Sequence, residues 1–333
     1  MPKTAEEISI ATGFSITTIR FVMNGQSEKY RISAATQKKI EDYIAIHGYS
    51  LNHAARSLKL NRSDTIGLIV PDLANAFFSR MMAALESLCR KRDLLLLTAS
   101  SHDNAELENR AVTNFLARRV DGLVIAPCQA ASLPQLSKSK SRTSIVMFDR
   151  DFSPSLFPTV TSDNFQGGLE MTRQMLQEAD GSFYFLCGHA ELPSIHDRIR
   201  GFSAACEEFG IRDSENLIRL EAENSPAVGR KLMRELIDTL QHPPRAFMCS
   251  SLLILDGALQ QIKAQTGHID KDILIATFDD HTMLDLLPNR ILSIKQNEDA
   301  LAERVFERLV QPVSERKGTQ PRDIVSIELI CRN

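Results

Sequence analysis

Several side chains that follow short apolar runs have the chemistry to hold a polyhydroxylated ligand. Asp72 comes just after "TIGLIV", Asp149 closes "SIVMFD" (144–149), Ser251 follows "RAFMCS" (245–250) and Asp279 closes "ILIATFD" (273–279). Phe77 and Phe78 open the helical stretch that begins beyond Asp72. A sugar needs carboxylates that accept hydrogen bonds from vicinal hydroxyls, a cation that donates, and an aromatic face for its C–H groups. An Asp after a strand is also an ordinary helix N-cap. That second reading stands beside the ligand reading for Asp72 and Asp149, and it is the one adopted for Asp163. Asp280 and His281 are placed to orient Asp279.

A second constellation lies near the N-terminus. Thr4 and Glu7 have capping-box spacing and start a short helix over "TAEEISIA". Gly13 permits the turn, Ser15 caps "SITTIRFVMN", and Asn24-Gly25 ends it. Ile19, Val22 and Met23 form one apolar stripe, and Ile8, Ala11 and Phe14 offer the facing one. Two short helices across a tight turn make a helix-turn-helix, whose second helix enters the major groove of DNA. A third helix over 33–47, with Ile40, Tyr43, Ile44 and Ile46, closes the small core. Thr17 can bond a base edge or a phosphate and Ile16 can pack on a thymine methyl, while Phe21 reads equally well as core. Arg20, Lys29, Arg31, Lys38 and Lys39 suit phosphates or a solvated basic face. The DNA-facing set is then Thr4, Ser15, Ile16, Thr17, Thr18, Arg20, Phe21, Asn24 and Arg31.

The stretch 52–60, "NHAARSLKL", has a helical pattern too short to hold alone. Either it is a fraying linker, or it orders on DNA, pairs with its twin and inserts Leu58 into the minor groove, with Asn52 and Ala55 beside it.

The remaining chain must position the sugar-type residues. "TIGLIV" (65–70), "LLLLTA" (94–99), "GLVIAP" (122–127) and "SIVMFD" read as buried parallel strands, the first three separated by helices over 75–92 and 104–119. A second series, "SFYFLCG" (182–188), "LIRLEA" (217–222), "RAFMCS" and "ILIATFD", repeats the pattern. The fold class is α/β: an all-α headpiece, then two doubly wound parallel-sheet lobes with ligand at the strands' carboxyl ends. The expected division is a headpiece over 1–51, a hinge over 52–62 and a core over 63–333. Lobe 1 takes about 63–162 and 291–321, lobe 2 about 163–290 and 322–333.

Charge agrees with that division. Residues 1–62 hold nine Lys/Arg against five Asp/Glu, a net of +4; the rest hold 30 against 37, or −7. A basic head on an acidic body suits a protein whose head alone meets a polyanion. The six cysteines lack C-x-x-C spacing and read as buried free thiols, with no metal site. The N-terminal stretch lacks a signal-peptide pattern and no run is long enough to span a membrane, so the cytoplasm is the expected compartment. No nucleotide-loop, zinc-protease or nucleophile-elbow motif occurs, so neither a cofactor nor catalysis is expected.

"EEISIATGFSITTIRFVMNG" followed by "NHAARSLKLNRSDTIGLIVPDLANAFF" resembles the lactose/galactose-repressor family over nearly the whole chain, and "GQSEKYRIS", "DRIRGF" and "FDDHTMLDLL" most resemble its fructose and sucrose branch. The resemblance implies a homodimeric repressor with a periplasmic-binding-protein-like core, released from operator DNA by a sugar or sugar phosphate. It implies effector positions at Phe77, Phe78, Asp149, Arg198, Ser251, Asp279 and Gln296, and crossings between lobes at 291–297 and near 322–332. Leu51 stands where the family usually has proline, Ile16 where many relatives have a polar base reader, and Ser251-Leu252 where many carry an Asn-Asp or Asp-type pair. The alternatives are a transport-type sugar-binding protein, a sugar-processing enzyme, and a carbon-flux regulator that both activates and represses.

Overall fold

A computed structural model describes residues 2–49, 62–130, 143–152, 157–179, 183–311 and 322–332. Asn52, Ala55 and Leu58 lie outside them. The chain forms two compact units, Met1–Ser63 and Asp64–Asn333.

In the first unit, α1 (Ala5–Thr12), α2 (Ile16–Met23) and α3 (Ala34–His47) surround a core of Ala5, Ile8, Ile19, Val22 and Ile40. Thr4 and Glu7 form the reciprocal capping box, and Gly13 ends α1 in the left-handed conformation. Ala11 and Ile46, expected in the apolar stripes, face solvent instead; Ala5 takes the place of Ala11. Both sit in the last turn of their helices.

The second unit has two six-stranded sheets. The first runs β11-β5-β4-β3-β1-β2 and the second β12-β10-β9-β8-β6-β7. In lobe 1, β1 (Thr65–Val70), β2 (Leu95–Ser100), β3 (Gly122–Ile125), β4 (Ser144–Phe148), β5 (Thr159–Ser162) and β11 (Arg322–Val325) are all parallel. In lobe 2, β6 (Tyr184–Gly188), β7 (Ile218–Glu221), β8 (Ala246–Cys249), β9 (Leu274–Phe278) and β10 (Ile291–Lys295) are parallel, and β12 (Glu328–Arg332) closes the edge antiparallel.

Helices cover both faces of each sheet. The α4 helix (Ala76–Arg90) buries Phe77, Phe78, Met81, Leu85 and Cys89 as one stripe, against Leu301, Ala302, Val305 and Phe306 of α10 (Glu298–Val310). Each large side chain so buried contributes about 1.5–3 kcal/mol. The α5 helix (Ala105–Ala117) covers the other face through Val112 and Phe115. In lobe 2, α6 (Asn164–Glu178) and α7 (Pro193–Glu208) pack on one core, while α8 (Pro226–Leu240) and α9 (Leu252–Thr266) pack on the other.

Three expectations need correction. The strand at 291–295 belongs to lobe 2, hydrogen-bonded to β9, so the chain returns to lobe 1 only beyond it. The terminal stretch is two strands, β11 in lobe 1 and β12 in lobe 2. "LLLLTA" and "LIRLEA" are edge strands rather than buried ones, with Leu95 58% and Leu220 51% exposed. Among the described cysteines five are buried, but Cys331 is exposed.

Candidate functional site

The cleft between the lobes lies at the carboxyl ends of the strands, where the chain turns from sheet to helix. Asp149 directly follows β4 and Asp279 directly follows β9, strands that occupy the same place in the order of their respective sheets. Both have left-handed backbones, φ 65° and 67°, and both are buried. Their side chains thereby point into the cleft lining instead of continuing the pleat.

Arg198 enters from α7 and is also buried. Its Nε donates to Asn164 Oδ1 at 2.8 Å, one terminal nitrogen donates to the Ser250 carbonyl at 2.7 Å, and the guanidinium lies 4.1 Å from the Phe278 ring centre. The close approach of α6 and α7 sets this position. A methyl group at Gly201 would overlap the carbonyl oxygen of Phe165, and one at Gly168 that of Arg198 itself. Only glycine lets the helices meet at that distance.

The site's charges oppose burial. Desolvation raises the Asp149 carboxyl from 3.8 to about 6; Arg150 and Arg198 pull it down, while Asp279 and Asp103 add to the rise. Burial likewise lowers the Arg198 guanidinium from its ordinary value, against Asp279 and Asp149, which raise it. Gln296 orders the far side: it accepts from Ser162 Oγ at 2.5 Å and donates to Asp279 Oδ1 at 2.6 Å. Gln296, not Asp280 or His281, therefore orients Asp279. The Asp280 carboxylate is taken by Ser293 and Arg332, and His281 accepts from the Met283 amide.

Phe77, Phe78, Asp149, Arg198, Ser251, Asp279 and Gln296 all line one cavity of about 40 Å³. That is far below the roughly 300–1,000 Å³ usual for a small-molecule pocket. Ser251 caps α9 and donates to Asn224 at 2.7 Å, so its hydroxyl is already engaged. Asp72 does not line the cavity; its carboxylate accepts from the Ala74 amide at 2.9 Å, a local turn. Asp163 caps α6, as expected. Sequence reasoning missed Asn75, Arg150, Asn224 and Ser194, which also line it. Arg150 is the most consequential of these. It is buried and pairs with Asp103, and its Nε lies 3.9 Å from Asp149 Oδ2 without making a hydrogen bond to any described residue. Its position directly after Asp149 was the available signal.

In the headpiece, Ser15 accepts from the Thr18 amide and its hydroxyl lies 2.8 Å from that of Thr18, so these two hold each other at the start of α2. Thr17 is left exposed beside them, with Arg20, Asn24 and Arg31 also exposed. Arg20 makes a 3.5 Å surface pair with Glu6, of the kind worth little in water. Ile16 is half-buried against the core. Phe21, also half-buried, stacks on Tyr30 with ring centres 3.5 Å apart and planes 6° from parallel.

Known proteins resemble this chain throughout its length. The family described as "Periplasmic binding protein domain" matches residues 66–309. The sucrose operon repressor of Klebsiella pneumoniae is 30% identical over 92% of this chain and 91% of its own. The fructose operon regulatory protein of Vibrio cholerae is 30% identical over 99% and 98%. Among solved structures, the Cra transcriptional dual regulator of Pseudomonas putida in complex with fructose 1-phosphate has a TM-score of 0.72 at 27% identity, covering 81% of this chain and 99% of that one. The lac repressor dimer bound to operator has a TM-score of 0.83 over 99% of this chain and 98% of that one, and at 20% identity it speaks to the fold alone. With its three-helix headpiece and its two parallel-sheet lobes, the chain belongs to the lactose/galactose-repressor family of transcription regulators.

Proposed function

We propose that this regulator is a cytoplasmic homodimer that represses sugar-utilisation genes and leaves its operator when fructose, a fructose phosphate or sucrose binds between the lobes. The observation that carries this reading is the buried constellation in the cleft: the Arg198 guanidinium and two carboxylates, Asp149 and Asp279, that act on it electrostatically, lining one cavity with the aromatic wall of Phe77 and Phe78. Carboxylates accept from ring hydroxyls, and the cation in the second turn of α7 suits a phosphate or an electron-rich hydroxyl. Thr17 and Ile16 read bases; Thr4, Ser15, Thr18, Arg20, Phe21, Asn24 and Arg31 position the headpiece on phosphates; Asn52, Ala55 and Leu58 act at the hinge.

A cavity of about 40 Å³ does not admit a hexose until the lobes part, so binding is tied to lobe movement. Sugar and operator then favour different lobe orientations, and each weakens the other's binding by the same factor. Titration of duplex operator with and without fructose 1-phosphate, fructose, sucrose and ribose tests this. Weaker operator binding with at least one of the first three, and not with ribose, is the expected outcome; equal operator affinity in all four would reject it.

A further inference from the structure

Arg80 stands one turn into α4, just past the aromatic wall of the cleft, yet it does not line the cavity. Its Nε donates to Glu298 Oε1 at 2.8 Å, in the first turn of α10. A terminal nitrogen donates to the backbone carbonyl of Asp280 at 3.0 Å. One guanidinium thus joins a lobe 1 helix, the segment returning from lobe 2, and the lobe 2 loop that carries Asp279.

These bonds close a ring with the cleft. Gln296, two residues before Glu298, donates to Asp279, the neighbour of Asp280. On the lobe 2 side the Asp280 carboxylate is fixed by Ser293 Oγ at 2.7 Å and by Arg332 at 2.6 Å. The loop therefore moves with lobe 2 as a body, and its carbonyl reports that lobe's position to Arg80. On the lobe 1 side α4 is anchored by Met81, Leu85 and Cys89 in the core it shares with α10. Neither end of the bridge is free to yield separately. Separating the lobes lengthens the Arg80–Asp280 bond along with the Ser162–Gln296 bond inside the cleft.

We infer that Arg80 is a positioning residue that holds the two lobes in the narrow-cleft orientation. Given the sugar-responsive reading above, an effector that widens the cleft must work against this bridge, so Arg80 sets how much of the effector's affinity is spent on lobe movement. A lysine at the same place supplies a point charge without the planar fork needed for both acceptors.

The test measures lobe separation directly and needs neither sugar nor operator. Spin labels are placed on cysteines substituted at the exposed Arg110 (lobe 1) and Arg234 (lobe 2) in a Cys331→Ser background, with labelled chain diluted into unlabelled protein. The unaltered bridge is expected to give a single narrow distance distribution. Arg80→Ala should add a longer-distance population, Arg80→Lys a smaller one, and Glu298→Gln, which keeps an acceptor but removes the charge, a partial one. Each variant is first checked for an unchanged circular-dichroism spectrum. A folded Arg80→Ala protein with the parent's distribution overturns the inference; so does a folded Glu298→Gln protein without any broadening, should Arg80→Ala fail to fold. Failure of the sugar titration leaves these distances unaffected, so the two readings fail separately.

Discussion

Asp149→Asn should make the protein more stable and worse at binding its effector. The side chain is 7% exposed, and its carboxyl is raised from 3.8 to about 6, chiefly by desolvation. At about 1.36 kcal/mol per pH unit, keeping it ionised in the folded state costs on the order of 3 kcal/mol at neutral pH. Asparagine has the same shape, tolerates the left-handed backbone, and carries no charge to desolvate. That cost is already net of the attraction to Arg150 and Arg198, so the expected gain is about 1–3 kcal/mol.

The sign of the pH dependence follows from proton uptake. Folding binds a proton at Asp149 between pH 3.8 and about 6. The parent's penalty is therefore complete above that range and disappears as pH falls through it. Denaturant unfolding of parent and variant at about pH 7.5 and about pH 4.5 measures both midpoints and slopes. The variant should lead at the higher pH and by only about a third of that margin at the lower. An equal loss of stability at both values would refute the claim that this carboxylate is held ionised at a cost.

Three further outcomes are expected. Thr17→Ala should weaken binding to the cognate operator by about 1–3 kcal/mol and to random duplex much less, measured by fluorescence anisotropy; equal losses would remove Thr17 from base reading. Arg198→Ala should bind operator normally yet no longer release it with sugar, and calorimetry showing parental sugar affinity would put the ligand elsewhere. Gly201→Ala should force α6 and α7 apart, lowering stability by about 1–3 kcal/mol and weakening sugar binding through the displaced Arg198; an unchanged denaturation midpoint would show that the helices yield freely.

The parts of the fold legible in the sequence are those where burial is written as runs or periods. β1, β4, β8 and β9 are continuous apolar stretches, and α4 carries its stripe openly. β5 was missed because three of the four residues in "TVTS" bear hydroxyls, although every residue in it is buried. Its threonines satisfy their hydroxyls locally, as Thr161 does on the Asp149 carbonyl, so they cost little inside. β10 was recognised as a strand but given to the wrong lobe, since apolarity records that a strand is buried and not which neighbour it pairs with. In the cleft, Asp149 and Asp279 were visible as strand-end carboxylates. Arg150 was not, because a single charged residue after an Asp looks like any exposed loop cation until its burial is seen. Asp72 shows the converse: the same strand-end position is satisfied by its own turn.

The left-handed backbones of Asp149 and Asp279 restrict what these two positions accept during drift or redesign. Asparagine and glycine are the replacements that keep the local chain geometry, whereas a larger or branched side chain meets a penalty of roughly 1–2 kcal/mol before it touches any ligand. Retuning of the cleft is thus channelled into single steps that exchange a carboxylate for an amide or for nothing. The pair can hold two negative charges, one or none while the loops keep their course. A combinatorial library aimed at a new effector would be most productive with those three residue types at both positions and its diversity placed on Phe77, Phe78 and Ser194 around them.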